Sequence, residues 1–107
     1  MKINVRERAR FSLDKMAKVA LATTERAQLD LYCVSPGQSQ KPHRHEDQDK
    51  VYYVLEGAGR FALAGQEERL VAGEALVAPA GVEHGLVNDG TDPLLVLVVV
   101  TPPPPHA

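Results

Sequence analysis

Residues 94–100 read Leu-Leu-Val-Leu-Val-Val-Val, the longest apolar run in the chain. Seven residues are far too few to cross a bilayer as a helix. As a strand, the run is apolar on both faces, because alternate side chains point to opposite sides. Such a strand belongs in the middle of a barrel or sandwich, or at a subunit interface. Left exposed, it would aggregate.

The rest of the chain has the rhythm of an all-β protein. Eight glycines and eight prolines punctuate short apolar runs over 107 residues, enough for one domain. Residues 19–23 read as a first strand. Residues 27–34 alternate, with Leu29, Leu31 and Cys33 on one face. Residues 50–57 are β-branched and aromatic and close on Gly57. Residues 60–73 form a hairpin turning at Gly65-Gln66, and residues 74–90 hold two short strands around a Pro-Gly loop. Only residues 12–18 suggest a helical turn, with Ser12 as its N-cap. About eight strands without covering helices imply an antiparallel sandwich or barrel. The expected organisation is an arm over 1–18, a β domain over 19–101, and an extended polyproline tail over 102–107 that carries His106.

Charge and cysteine content narrow the partners. The net charge is −2, which gives no sign of nucleic-acid binding. Residues 1–18 carry six Lys/Arg against Glu7 and Asp14, a basic arm read as a solvated segment. Cys33 is the single cysteine, so no intramolecular disulfide forms; it reads as a small buried hydrophobe. A reducing compartment and the lack of an apolar leader lead to the expectation of a cytoplasmic protein, with no nucleic-acid and no membrane partner.

The chemistry gathers around His43, His45 and His84, each at a strand end or in a Gly/Pro-bounded loop. Histidines at i and i+2 on a strand share a face and can converge on one ion. A third from a neighbouring strand would complete a facial set with positions left for water or substrate. The pair alone is a weak signal, since such a doublet on a surface strand usually binds nothing. Its flanks strengthen it. Gly37 stands six residues before His43, and Gly57 seven after Lys50; later come Gly73, Pro79, Gly81, His84 and Asn88.

On these residues the chain resembles the cupins. Their first motif is G-x5-H-x-H-x3–4-E-x6-G, and their second is G-x5-P-x-G-x2-H-x3-N. The second matches throughout, and the first matches except that Lys50 replaces the glutamate. The motifs span residues 37–88. The likeness is to small single-domain cupins with a short N-terminal arm, some of them named loosely for antibiotic or polyketide synthesis. It implies an all-β double-stranded β-helix, a jelly-roll barrel. It also implies a divalent metal on His43, His45 and His84, without choosing among zinc, iron, nickel, manganese and copper. It does not fix a reaction, because cupins include isomerases, epimerases, dioxygenases, decarboxylases and non-enzymatic binders. Cupins with three histidines and no glutamate exist among the dioxygenases.

Lys50 leaves three readings open. It could sit beside a three-histidine metal, with a lowered pKa, as a base or as a holder of an anionic substrate. It could replace the metal and bind an organic anion together with the histidines. Or it could snorkel outward or pair with Glu46, Asp47 or another carboxylate. Strand parity puts Lys50, Gln48, Tyr52 and Val54 on the inner side and Asp49 outside, unless a bulge shifts the register. Tyr32 and Tyr52 either line the pocket or pack in the core. Asn88 is placed to hydrogen-bond a ligand or its own loop. Glu83 and Arg44 face out, and Glu46 and Asp47 form a solvated rim. Lys50 and Tyr52 are the candidates for a catalytic role, if there is one. Two functions of different class follow: a metal-dependent small-molecule enzyme, and a non-catalytic binder of a small molecule or anion. Apolar outer faces make a homodimer the expected assembly.

Overall fold

The apolar run at 94–100 becomes the central strand of the larger of two sheets. In the computed structural model, which describes residues 1–104, the strands are β1 (Ala17–Thr23), β2 (Gln28–Val34), β3 (Ser39–His43), β4 (Asp49–Glu56), β5 (Ala58–Leu63), β6 (Gln66–Val71), β7 (Ala75–Ala78), β8 (His84–Val87) and β9 (Leu94–Thr101). They form a five-stranded sheet in the order β1-β2-β9-β4-β7 and a four-stranded sheet in the order β3-β8-β5-β6. Every pairing is antiparallel. This is the double-stranded β-helix. His106 and the end of the polyproline tail lie outside the described residues. Among the described residues no helix is long and apolar enough to cross a membrane.

β9 is buried on its inner face and partly covered on its outer face, for two different reasons. Its inward residues Leu94, Val96, Val98 and Val100 pack with Tyr52, Val54, Phe61, Leu70 and Leu86 between the sheets. Its outward residue Leu95 packs with Leu21, Leu31 and Cys33, against which Ile3, Val5, Ala9 and Leu97 also lie. The basic arm is therefore not simply solvated. Its apolar residues, spaced among the arginines, seal the back of the sheet, while the charges point away. Arg6 pairs with Glu56 at 2.8 Å, and the Arg10 N–H donates to the Cys33 sulfur at 3.4 Å. Cys33 is fully buried, as expected of a small hydrophobe.

Three local expectations need correction. Residues 12–18 do not form a helix: they bend, and the chain enters β1 at Ala17 while Met16 joins the core. Pairing with β2 overrides a weak local propensity. A short 3-10 helix lies earlier, at Arg6–Arg8. The hairpin turns at Ala64-Gly65, one residue before the expected pair, because Leu63 faces Gln66 and leaves a two-residue loop. Both loop residues have positive φ, 51° and 81°, as a type I′ turn requires. β3 carries no apolar alternation and contains Pro42, so its sequence conceals a strand. It is an edge strand, where proline is tolerated.

Candidate metal centre

His84 opens β8 and His43 closes β3, and the two are backbone partners across that pair. His45 lies two residues further on, in the loop between β3 and β4. The loop between β7 and β8 is tied to it. The Gly81 N–H donates to the His45 carbonyl at 2.8 Å, and the Ala80 N–H donates to Asp49 Oδ1 at 2.9 Å. The four motif glycines Gly37, Gly57, Gly73 and Gly81 have φ between 81° and 93°, a region other residues rarely adopt.

One ligand atom from each histidine lies within 4.8 Å of the others. The ring centres are 4.4 Å apart for His43 and His84, 4.9 Å for His43 and His45, and 5.8 Å for His45 and His84. His43 Nδ1 bonds the Lys41 carbonyl at 2.8 Å, and His84 Nδ1 bonds the Val82 carbonyl at 2.9 Å. A carbonyl only accepts, so each Nδ1 carries the proton and each Nε2 keeps a free lone pair. His84 Nε2 is buried and has no hydrogen-bond partner. Burial, with the nearby Lys50 charge, lowers the pKa of all three rings, that of His84 to about 4. Three neutral imidazoles at this spacing, one with an orphaned buried nitrogen, fit a divalent transition metal.

Lys50 points inward and is only 3% exposed. Its Nζ stands 5.2 Å from the ring centres of both Tyr32 and Tyr52. The outward reading of Lys50 is therefore wrong: strand parity holds, and among the described residues no carboxylate pairs with it. Burial is the main cause that brings its pKa down to about 8, helped by Lys18 and opposed by Asp30. Asp49 faces out, as parity predicts. Gln48 is buried, and its amide donates to the Pro102 carbonyl at 3.2 Å. Glu46, Asp47, Glu83 and Arg44 are exposed.

Tyr52 is fully buried and packs edge-on to Phe61 and His84. Its hydroxyl donates to Gln40 Oε1 at 2.7 Å, and burial raises its pKa. Burial likewise pushes Tyr32 up to about 12. Both rings are walls, with their protons held through the neutral pH range. Asn88 serves its own loop: its amide donates to the carbonyls of Val34 and Asp92, and its oxygen accepts from the Gly90 N–H.

Four contributors escaped the sequence reading. Lys18 lies 5.5 Å from the Tyr32 ring centre, and Asp30 is buried beside Gln28. Gln40 anchors Tyr52 from β3. Gly85 lets β3 approach β8, since a Cβ there would lie 2.7 Å from the Gln40 carbonyl oxygen and 2.9 Å from Pro42 N. Asp30 shares the parity of Tyr32 in β2, which was the one available signal of its inward position.

The fold and the three converging imidazoles define a small β-barrel of the cupin class. The cupin-domain family profile matches residues 30–100, and the chain belongs to the cupin family. It is 35% identical over 73 residues to the tetracenomycin polyketide synthase protein TcmJ of Streptomyces glaucescens, covering 68% of this chain and 49% of that protein. It is 34% identical over 65 residues to the oxalate-binding protein of Thermotoga maritima, covering 61% and 54%. The chain thus spans about half the length of the curated relatives it matches. Among solved structures, TT1209 from Thermus thermophilus superposes with a TM-score of 0.93 at 44% identity, covering 96% of this chain and 98% of that one.

Proposed function

We propose that His43, His45 and His84 hold one divalent metal ion, and that the chain uses this centre to bind a small oxygen-bearing molecule. The observation that carries the reading is the buried, unpartnered Nε2 of His84, on a ring oriented through Nδ1 and beside two further imidazoles. An unpaired buried acceptor is costly, and a metal would satisfy it. Three protein donors leave coordination positions free for water or ligand. A bound ion would supply Lewis acidity at those positions. The similarity to a protein named for oxalate binding supports a small carboxylate as ligand. Chelator treatment of the purified protein tests this. The reading expects a lower melting temperature that recovers when the metal is restored, because the ion binds only the folded state. Protein purified without metal, and indifferent to chelator, would overturn it.

A second reading rests on Lys50. A buried cation in the place of the family's carboxylate favours a metal-free pocket that binds an organic anion without turnover. A tightly held organic acid in metal-free protein would favour this reading.

We further infer a homodimer. Val77, Val51, Val99 and Leu29 form one row across the outer face of the five-stranded sheet. Val77 is 56% exposed, and Tyr53, on the same face, is 38% exposed. An exposed apolar row of this kind can be covered by the same row of a second copy across a twofold axis. Sedimentation velocity should give a dimer that Val77→Lys dissociates. A monomer at every concentration would contradict this.

A further inference from the structure

The Tyr32 ring is approached by two cations, Lys50 at 5.2 Å and Lys18 at 5.5 Å from its centre. Among the described residues neither ammonium has a hydrogen bond or an ion pair. For Lys18, largely exposed, that is unremarkable. For Lys50, buried, it leaves a desolvated charge answered only by two tyrosine rings and the field of Asp30. Asp30 is the nearby buried carboxylate, but both its oxygens accept from Gln28 Nε2, at 3.1 and 2.9 Å. A third donor is the buried Nε2 of Gln40, whose one neighbouring acceptor among the described residues is the Tyr32 hydroxyl, outside good hydrogen-bond geometry. Two ammonium groups therefore share the Tyr32 ring, with Asp30 the one buried carboxylate near them among the described residues. A cleft of about 670 Å³, lined by Met16, Lys18, Ser39 and Gln40 among others, opens this side to solvent between β1 and β3.

We infer that Lys18 and Lys50, with Gln40, form a carboxylate-binding subsite that seats a small organic acid whose other end faces the histidine centre. The inference deepens the proposed function and rests on it for that second end. Asp30 offsets one of the two cations. The remaining single positive charge matches one carboxylate rather than a doubly charged phosphate. The subsite adjoins the histidines, because the Tyr52 ring that Lys50 also covers lies 6.0 Å from the His84 ring. An acid entering by the cleft would meet Lys18 and Gln40, which line it.

The test is a titration of metal-free protein with lactate and with its uncharged analogue lactamide, followed by NMR, beside a zinc titration of each variant. Lactate should bind and lactamide should not. Lys18→Met should weaken lactate about fivefold, as for an exposed charge. Lys50→Met should weaken it about thirtyfold, as for a buried one. Lys18→Arg should retain binding. Equal binding of lactate and lactamide, or lactate affinity indifferent to both lysine substitutions, overturns the subsite. So does lactate binding that appears only with zinc and ignores Lys18, since the acid would then sit on the metal alone. Lysine-dependent lactate binding in a protein that takes up no zinc keeps the subsite and rejects the three-histidine reading instead. Inorganic phosphate binding more tightly than lactate would contradict the charge match.

Discussion

His43 and His84 are backbone partners across β3 and β8, with ring centres 4.4 Å apart. The centre is thus built into sheet pairing rather than carried by a free loop. His45 is more exposed and depends on the Gly81 N–H to hold its backbone. Two imidazoles on paired strands and a third on a pinned loop give a cluster that is largely formed before anything binds. Preorganisation of this kind reduces the cost of ordering donors around an ion.

Gly85→Ala tests that dependence on pairing. The added Cβ would meet backbone atoms of Gln40 and Pro42 at 2.7–3.0 Å, and backbone cannot swing aside. β3 must move, and His43 moves with it. The expected outcome is a loss of about 1–3 kcal/mol of stability, as for overpacking, with weaker metal binding. Denaturant unfolding and a metal titration read the two effects. Wild-type values for both would show that β3 does not set the centre.

Lys50 gives a pH signature in metal-free protein. Its pKa falls from 10.5 to about 8 on folding. Below pH 8 the lysine is charged in both states, and the native state bears the full desolvation cost. Between about pH 8 and 10.5 the native lysine is neutral and the unfolded one still binds a proton. Stability contributed by this group therefore rises with pH across that window. Lys50→Met should stabilise the metal-free protein at pH 7 by about 3 kcal/mol at most. It should also remove the rise. Melting curves of both proteins over about pH 7–10 measure the difference. A wild-type protein more stable than Lys50→Met at pH 7 would mean that the ammonium has a partner in solution.

The two motifs marked the barrel and the three histidines because their residues have local physical demands: positive φ at four glycines, and a ring turned toward the other two at each histidine. Strand parity was enough to put Lys50 inside and Asp49 outside. What stayed hidden depends on contacts between distant segments. β3 has no apolar alternation, and only its pairing with β8 makes it a strand. The arm's Ile3, Val5 and Ala9 looked like scattered residues among charges until Leu95 and Leu31 supplied a surface for them. Lys18 and Tyr32 meet because β1 and β2 are in register, a fact that no residue near Lys18 announces. Asn88 was placed correctly, but the choice between ligand and loop was decided by the Val34 and Asp92 carbonyls lying within its reach.

The most direct measurement is a calorimetric titration of metal-free protein with zinc, run in parallel on His84→Ala. A three-histidine centre requires one ion per chain for the wild type and loss of that binding in the variant. The His84 ring is buried against Tyr52 and bonds the Val82 carbonyl, so a melting curve first establishes that the variant is folded at the temperature of the titration. No zinc binding by folded wild-type protein, or equal binding by His84→Ala, would contradict the three-histidine centre.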